Sequence, residues 1–133
     1  HMVVTATACP CGRTSPRVRC VGRTDDMLIY KAMNVFPSAI RDVVMGRFSG
    51  AVEPYLRVWK DHPRQVRFDH PIAVEVEASK ELPAERYQEV ARRIEHELRA
   101  RLQVQTTVTL LQPGALPRTA YKTALVHVRD GGP

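Results

Sequence analysis

An α+β fold, with two helices packed against a sheet, is what this sequence predicts, and three observations predict it. Residues 83–102 repeat apolar side chains at helical spacing. Residues 72–78 alternate apolar and mostly acidic side chains with the period of a half-buried strand. The segments follow one another as strand, helix, strand, strand, helix, strand. A β-α-β-β-α-β run is the order of a ferredoxin-like sandwich, in which both helices cover one face of an antiparallel sheet. At 133 residues, one core is the expectation.

The elements are justified in turn. Residues 3–20 are rich in Cys, Pro, Gly and Arg and read as a loop or short hairpin. Met27-Leu28-Ile29-Tyr30 is an apolar run of strand length. Pro37 suits the first turn of a helix, and Ile40, Val43, Val44 and Phe48 share a helical face up to Ser49-Gly50. Tyr55 to Lys60 is rich in strand formers, and Asp61-His62-Pro63-Arg64 turns the chain. In the next strand Ile72, Val74, Val76 and Ala78 share one face, with Ala73, Glu75 and Glu77 on the other. The helix from Pro83 to Leu102 carries a stripe of Tyr87, Val90, Ala91, Ile94, Leu98 and Leu102. Its Glu89–Arg93, Glu95–Arg99 and Glu97–Arg101 pairs place the acid first, the better order. Thr106 to Leu111 is a strand, the Pro- and Gly-containing stretch 112–117 breaks it, and residues 124–128 form a last short strand.

Hydrophobic residues at 44% and charged residues at 26% suit a globular core. No apolar run approaches the ~20 residues needed to span a bilayer. The first residues lack the basic start and long apolar stretch of an export signal, so a cytoplasmic protein is expected. The three cysteines, Cys9, Cys11 and Cys20, are expected to be reduced thiols. Cys9 and Cys11 are zinc candidates that supply two of the four ligands a tetrahedral site needs. His62, His70, His96 and His127 show no ligand spacing. The net charge of +6 comes from arginines spread along the chain rather than a block, and aromatics are only 6%. Base-stacking RNA recognition needs aromatic side chains clustered on a sheet, so no nucleic-acid partner is expected.

Three blocks carry a resemblance. Residues 9–14 read CPCGRT. Residues 22–29 read GRTDDMLI, followed by NVFPSAI at 34–40. PGALPRT at 113–119 precedes Lys122. In this order and over nearly the whole chain they resemble the C-terminal part of phenylacetate-CoA ligases, in the adenylate-forming acyl-CoA synthetase superfamily. The resemblance implies the superfamily's small C-terminal domain at 25–133. Within residues 1–24, His1-Met2 reads as a cloning-tag scar or Met2 as a native start, and the resemblance implies that the rest is the tail of a large N-terminal domain. It implies ATP-dependent acid–thiol ligation: a carboxylate, aryl by the resemblance, attacks ATP, and CoA then attacks the acyl-adenylate. ATP and Mg2+ would be substrates and CoA the acceptor, with no cofactor held tightly by this chain.

The resemblance also implies roles for residues. Lys122 matches the adenylation lysine, Asp25 the hinge, and Arg23 a linker residue at the ATP ribose. Lys31, Ala32 and Asn34 match the stretch facing the CoA tunnel. A lysine ammonium is a compact charge on a flexible stem, able to bridge a carboxylate and an α-phosphate. An aspartate in a polar turn can absorb a dihedral change without disturbing a core. Two positions depart from the family: Tyr121 and Ala32 stand where glycine is usual. The chain also lacks the large domain's phosphate loop and acyl pocket, so alone it is expected to be inactive. The partner would be a large adenylation domain, in cis or in trans. The alternative is a stand-alone, non-catalytic partner or regulatory module derived from such a domain.

Overall fold

The computed structural model describes residues 2–20, 26–118 and 124–129. Strand β1 (Met2–Thr5) pairs antiparallel with β2 (Arg17–Cys20), so the Cys-, Pro- and Gly-rich opening is a hairpin.

The core of the domain is a four-stranded sheet carrying two helices. Its strands are β5 (Val52–Lys60), β7 (Ile72–Ala78), β8 (Thr106–Leu111) and β9 (Val126–Val128), in spatial order β8-β7-β5-β9. A second, three-stranded sheet is made of β3 (Leu28–Tyr30), β4 (Met33–Val35) and β6 (Arg67–Phe68), in order β4-β3-β6. Helix α1 (Pro37–Phe48) joins β4 to β5, and α2 (Tyr87–Leu102) joins β7 to β8. The α+β class with two helices is the one the sequence predicts.

The sheets are mixed rather than antiparallel. β5 and β7 run antiparallel, whereas β7–β8 and β5–β9 are parallel. The α2 crossover explains the first parallel pair, because a helix between two strands returns the chain in the same direction. The strand expected at residues 27–30 pairs with β4 and β6 instead of joining the main sheet, whose fourth place is taken by β9.

Parity organises the core. Leu56 and Val58 of β5, Ile72, Val74 and Val76 of β7, and Val108 and Leu110 of β8 are all buried. Their odd-numbered neighbours are half-buried or exposed, Glu77 excepted. The buried set meets Ile40, Val44 and Phe48 of α1 and Val90, Ala91, Ile94 and Leu98 of α2 in one cluster. Tyr87 and Leu102 pack at its margin, completing the stripe read from the sequence. Pro54 lies where the β5–β7 register shifts and where β9 does not reach, a place a strand tolerates proline.

Helix boundaries follow local chemistry. Pro37 opens α1 behind an extended Phe36, and Pro83 precedes a 3-10 turn (Ala84–Arg86) that leads into α2. Gln103 closes α2 in the left-handed region, its N–H donating to the Arg99 carbonyl at 3.0 Å. Of the expected ion pairs on α2, Glu97–Arg101 forms at 3.0 Å. Glu95 instead accepts the backbone N–H of Val108 at 2.8 Å, tying the helix to β8, and Arg93 lies over the Phe48 ring.

Candidate functional site: an anchored C-terminal segment

The segment after β8 is held by one carboxylate. Gln112 to Ala115 form a turn closed by the Ala115 N–H on the Gln112 carbonyl at 3.1 Å, with Pro113 and Gly114 at its centre. Gly114 has φ +83, which glycine takes without strain, and Pro-Gly is the residue pattern of a type II turn. The Gly114 N–H donates to Glu77 Oε1 at 2.8 Å, and the Leu116 N–H donates to Oε2 at 3.3 Å. Arg118 closes the arrangement as a fork, Nη1 to Oε2 at 3.1 Å and Nη2 to Oε1. Its guanidinium lies 3.7 Å from the centroid of the Tyr55 ring. Leu116 is itself buried.

Glu77 is fully buried, on the sheet face opposite the helices. Burial works to raise its pKa. The Gly114 N–H, the Arg118 guanidinium and the Leu116 N–H together outweigh burial and hold the carboxyl below the ordinary glutamate range. Arg118 is pushed further towards its charged form, first by its hydrogen bonds to Glu77. A buried carboxylate with this many donors is an anchoring device: each donor belongs to the segment that leads to Lys122, and Arg118 stands four residues before that lysine.

Glu77 was not among the expected site residues. Strand alternation places it on the outward face beside Glu75, where a carboxylate is ordinarily solvated. The usable signal was remote: an arginine in a Pro- and Gly-rich stretch with no acid nearby in sequence, paired here across 41 positions.

Lys31, Ala32 and Asn34 come together on the β3–β4 hairpin, all exposed. Lys31 (φ 43) and Ala32 (φ 69) are both left-handed, as the two central residues of a type I′ hairpin turn must be. Neither is the Asn or Gly that such a turn favours, and non-glycine residues there carry about 1 kcal/mol of strain or more each. The base of the hairpin is pinned by the buried Tyr30, whose hydroxyl donates to Gln105 Oε1 at 2.9 Å.

Arg23, Asp25, Tyr121 and Lys122 lie outside the described residues. Cys9 and Cys11 lie in the loop of the β1–β2 hairpin with their Sγ atoms 2.8 Å apart. The Cys11 thiol is pulled below its usual range, first by the Cys9 thiol and then by the Arg13 backbone. Among the described residues no group of three or more His, Cys, Asp or Glu stands together to hold a metal ion. None of the described helices is long and apolar enough to cross a membrane.

A small α+β domain whose C-terminal segment is locked to its sheet just before a lysine is the class that fold and geometry define. Residues 32–129 match the family model described as AMP-binding enzyme C-terminal domain, and the chain belongs to that family. It is 33% identical over 131 residues to a phenylacetate-coenzyme A ligase of Thermus thermophilus, a match covering 87% of this chain and 28% of that protein. A crystal structure of a domain of phenylacetate-coenzyme A ligase from Bacteroides vulgatus is 26% identical. It aligns over 78% of this chain and 92% of that one, with a TM-score of 0.60. The fold is also that of 2-hydroxyisobutyryl-CoA ligase in its postadenylation state: TM-score 0.82, 24% identity, 97% of this chain and 27% of that one. The chain therefore spans a little over a quarter of the length of the curated relative it matches.

Proposed function

We propose that this chain is the mobile C-terminal domain of an ATP-dependent acyl- or aryl-CoA ligase, with Lys122 as its adenylation lysine. The observation that carries the reading is the Glu77 anchor. It engages the backbone and arginine of the block that, in the resembling ligases, presents the lysine.

In the first half-reaction a carboxylate oxygen of the substrate attacks the α-phosphorus of ATP. The bond to the β-phosphate oxygen breaks, and pyrophosphate leaves with the electron pair. Mg2+ enters with ATP as part of the substrate. Lys122 bridges the incoming carboxylate and the α-phosphate, where negative charge gathers, and its effect grows as domain closure expels water. Arg23 contacts the ribose. The domain then turns about Asp25, bringing the Lys31–Ala32 turn and Asn34 towards the CoA tunnel. The CoA sulfur, as its thiolate, attacks the acyl carbon, and AMP leaves with its electron pair. The division at residues 24 and 25 separates the tail of the large domain from the moving part, and a large adenylation domain, in cis or in trans, is the required partner.

The second reading is a non-catalytic module derived from such a domain. It is favoured by Ala32, an alanine at φ 69 where the resembling family has glycine, and by Tyr121 at the other family glycine.

ATP–pyrophosphate exchange tests the proposal. The 133-residue chain is expected to show none with aryl or alkyl carboxylates. Joining or mixing it with its large domain is expected to raise exchange above that of the large domain alone. Exchange by the isolated chain would overturn the domain assignment. Equal exchange by the large domain with and without the chain would favour the non-catalytic module.

A further inference from the structure

The exposed apolar residues of the β1–β2 hairpin, Met2, Val3, Val4 and Val18, have nothing in the structure to say what covers them. The cleft between α1 and α2, with a volume of about 310 Å³, is rimmed by Arg47, Arg92, Arg93 and His96, but Glu97 at its side already engages Arg47 and Arg101. The Glu77 carboxylate is fully spent on its own segment. The Cys9–Cys11 pair is different: two nucleophilic side chains meet at the surface, and no role described above uses them.

We propose that Cys9 and Cys11 form a dithiol redox site. It closes to an intramolecular disulfide by exchange with a low-molecular-weight disulfide, such as oxidised glutathione, and reopens with the corresponding thiol. The inference is independent of the roles proposed for Lys122 and Asp25.

The backbone brings the sulfurs together. The Gly12 N–H donates to the Cys9 carbonyl at 3.0 Å and closes a turn over Cys9 to Gly12. Pro10 stands at its first central position, where a fixed φ suits a turn. Gly12 takes the left-handed φ of +83 as the chain leaves. Across the loop the Arg17 guanidinium donates to the Thr7 hydroxyl at 3.1 Å. The Sγ atoms stand 2.8 Å apart. Joining them needs a small side-chain movement and no rearrangement of the hairpin, so each thiol meets the other as an intramolecular partner at high effective concentration.

Access and charge state set the order of events. Cys11 is exposed and Cys9 half-buried. The attacking species is the thiolate, and Cys11 is the thiol pulled below its usual range, first by the Cys9 thiol and then by the Arg13 backbone. Its thiolate attacks one sulfur of the small disulfide, and the other sulfur leaves with the electron pair and takes up a proton. Cys9 then gives up its proton and attacks Cys11 Sγ, expelling the second small thiolate, which is protonated in turn. Two protein thiols are oxidised to one disulfide, and one small disulfide is reduced to two thiols.

A staple for the fold is the plainer reading of a cysteine pair, and loop length decides against it. Stabilisation by a disulfide grows with the length of the loop it closes. This one closes three residues that a backbone hydrogen bond already turns. Exposed disulfides in small rings are instead the labile, regulatory kind. Cys20 supplies an internal control. It is exposed as well, but it sits opposite Met2 at the open end of the hairpin, away from the turn that holds Cys9 and Cys11.

The test follows the three thiols by mass spectrometry. The reduced 133-residue chain, and the same chain joined to its large domain, are each incubated with oxidised glutathione, quenched with an alkylating reagent and mapped. Expected in both is a Cys9–Cys11 disulfide that forms at least about tenfold faster than Cys20 is glutathionylated and that reopens with reduced glutathione. Cys9→Ser is expected to stop at the mixed disulfide on Cys11. Cys11→Ser is expected to slow Cys9 to about the rate of Cys20. Mixed disulfides at all three positions with no Cys9–Cys11 bond would overturn the proposal, as would a bond that forms in the isolated chain but not in the joined enzyme. Thiols that resist alkylation until a chelator strips bound zinc would overturn it too, and would assign the pair to a metal.

Discussion

Two turns of this domain make opposite use of left-handed backbone. In the Gln112–Ala115 turn the left-handed residue is glycine, at φ +83, and its N–H is spent on a buried carboxylate. In the β3–β4 turn the left-handed residues are Lys31 and Ala32, both exposed and both outside the residue types such a turn prefers. The first turn is relaxed in itself and held by Glu77. The second is strained in itself and held by the strands beside it, by the Lys31 N–H on the Phe68 carbonyl at 3.3 Å and by the Tyr30–Gln105 hydrogen bond at their base. A turn that must stay fixed on the sheet has the residue its backbone needs. A turn expected to meet a ligand carries a side chain instead, at a conformational cost borne by the hairpin.

The largest stability effect that sharpens this contrast comes from Glu77. Glu77→Ala removes the acceptor for two backbone N–H groups and a guanidinium, and a loss of about 2–3 kcal/mol in urea unfolding is expected. A cost near zero would mean that the C-terminal segment is not held by the carboxylate. The same group sets an acid dependence. Its folded pKa is depressed, so its contribution is fully present above the unfolded value of about 4.3 and is lost as pH falls through the lower folded value. Glu77→Gln is expected to flatten the stability profile in that acid window, and an identical profile for the variant would contradict the sign.

The two turns themselves give effects of opposite sign. Gly114→Ala meets no neighbour within 4 Å of the new Cβ, so in the folded state backbone strain acts, offset in part by the stiffer unfolded chain. A net loss of about 0.5–1 kcal/mol is expected. Ala32→Gly relieves comparable strain but frees the unfolded chain, for a net gain of about 0.5–1 kcal/mol. Thermal unfolding of both variants measures the comparison directly. If Ala32→Gly destabilises the domain, the β3–β4 turn is not strained, and the contrast between the turns fails.

The sequence made some of this legible and hid the rest for physical reasons. The stripe on α2 and the alternation on β7 were readable because each repeats over many residues, and Val90, Ile94, Leu98, Ile72, Val74 and Val76 are buried as their spacing requires. β4 and β6, of three and two residues, carry no period long enough to detect. Their pairing also took β3 out of the main sheet. Parallel pairing escaped because strand direction depends on the route of the chain and not on composition. Glu77 escaped because a burial pattern of period two has no means of showing that an outward carboxylate will be covered by a segment 37 to 41 residues later. The three motif blocks, by contrast, were legible as a resemblance, and the family match confirms that membership.

Lys122 is where the account is tested most directly. In the chain joined to its large domain, Lys122→Ala is expected to slow acyl-adenylate formation by at least about 100-fold, the scale of losing one preorganised charge-stabilising group. Thioester formation from pre-made acyl-adenylate is expected to continue at close to the wild-type rate, because the proposed domain rotation would take the lysine away from the reacting atoms. Single-turnover measurement of both half-reactions with the natural substrate separates the two. Adenylation at the wild-type rate in Lys122→Ala would contradict a catalytic role for this domain.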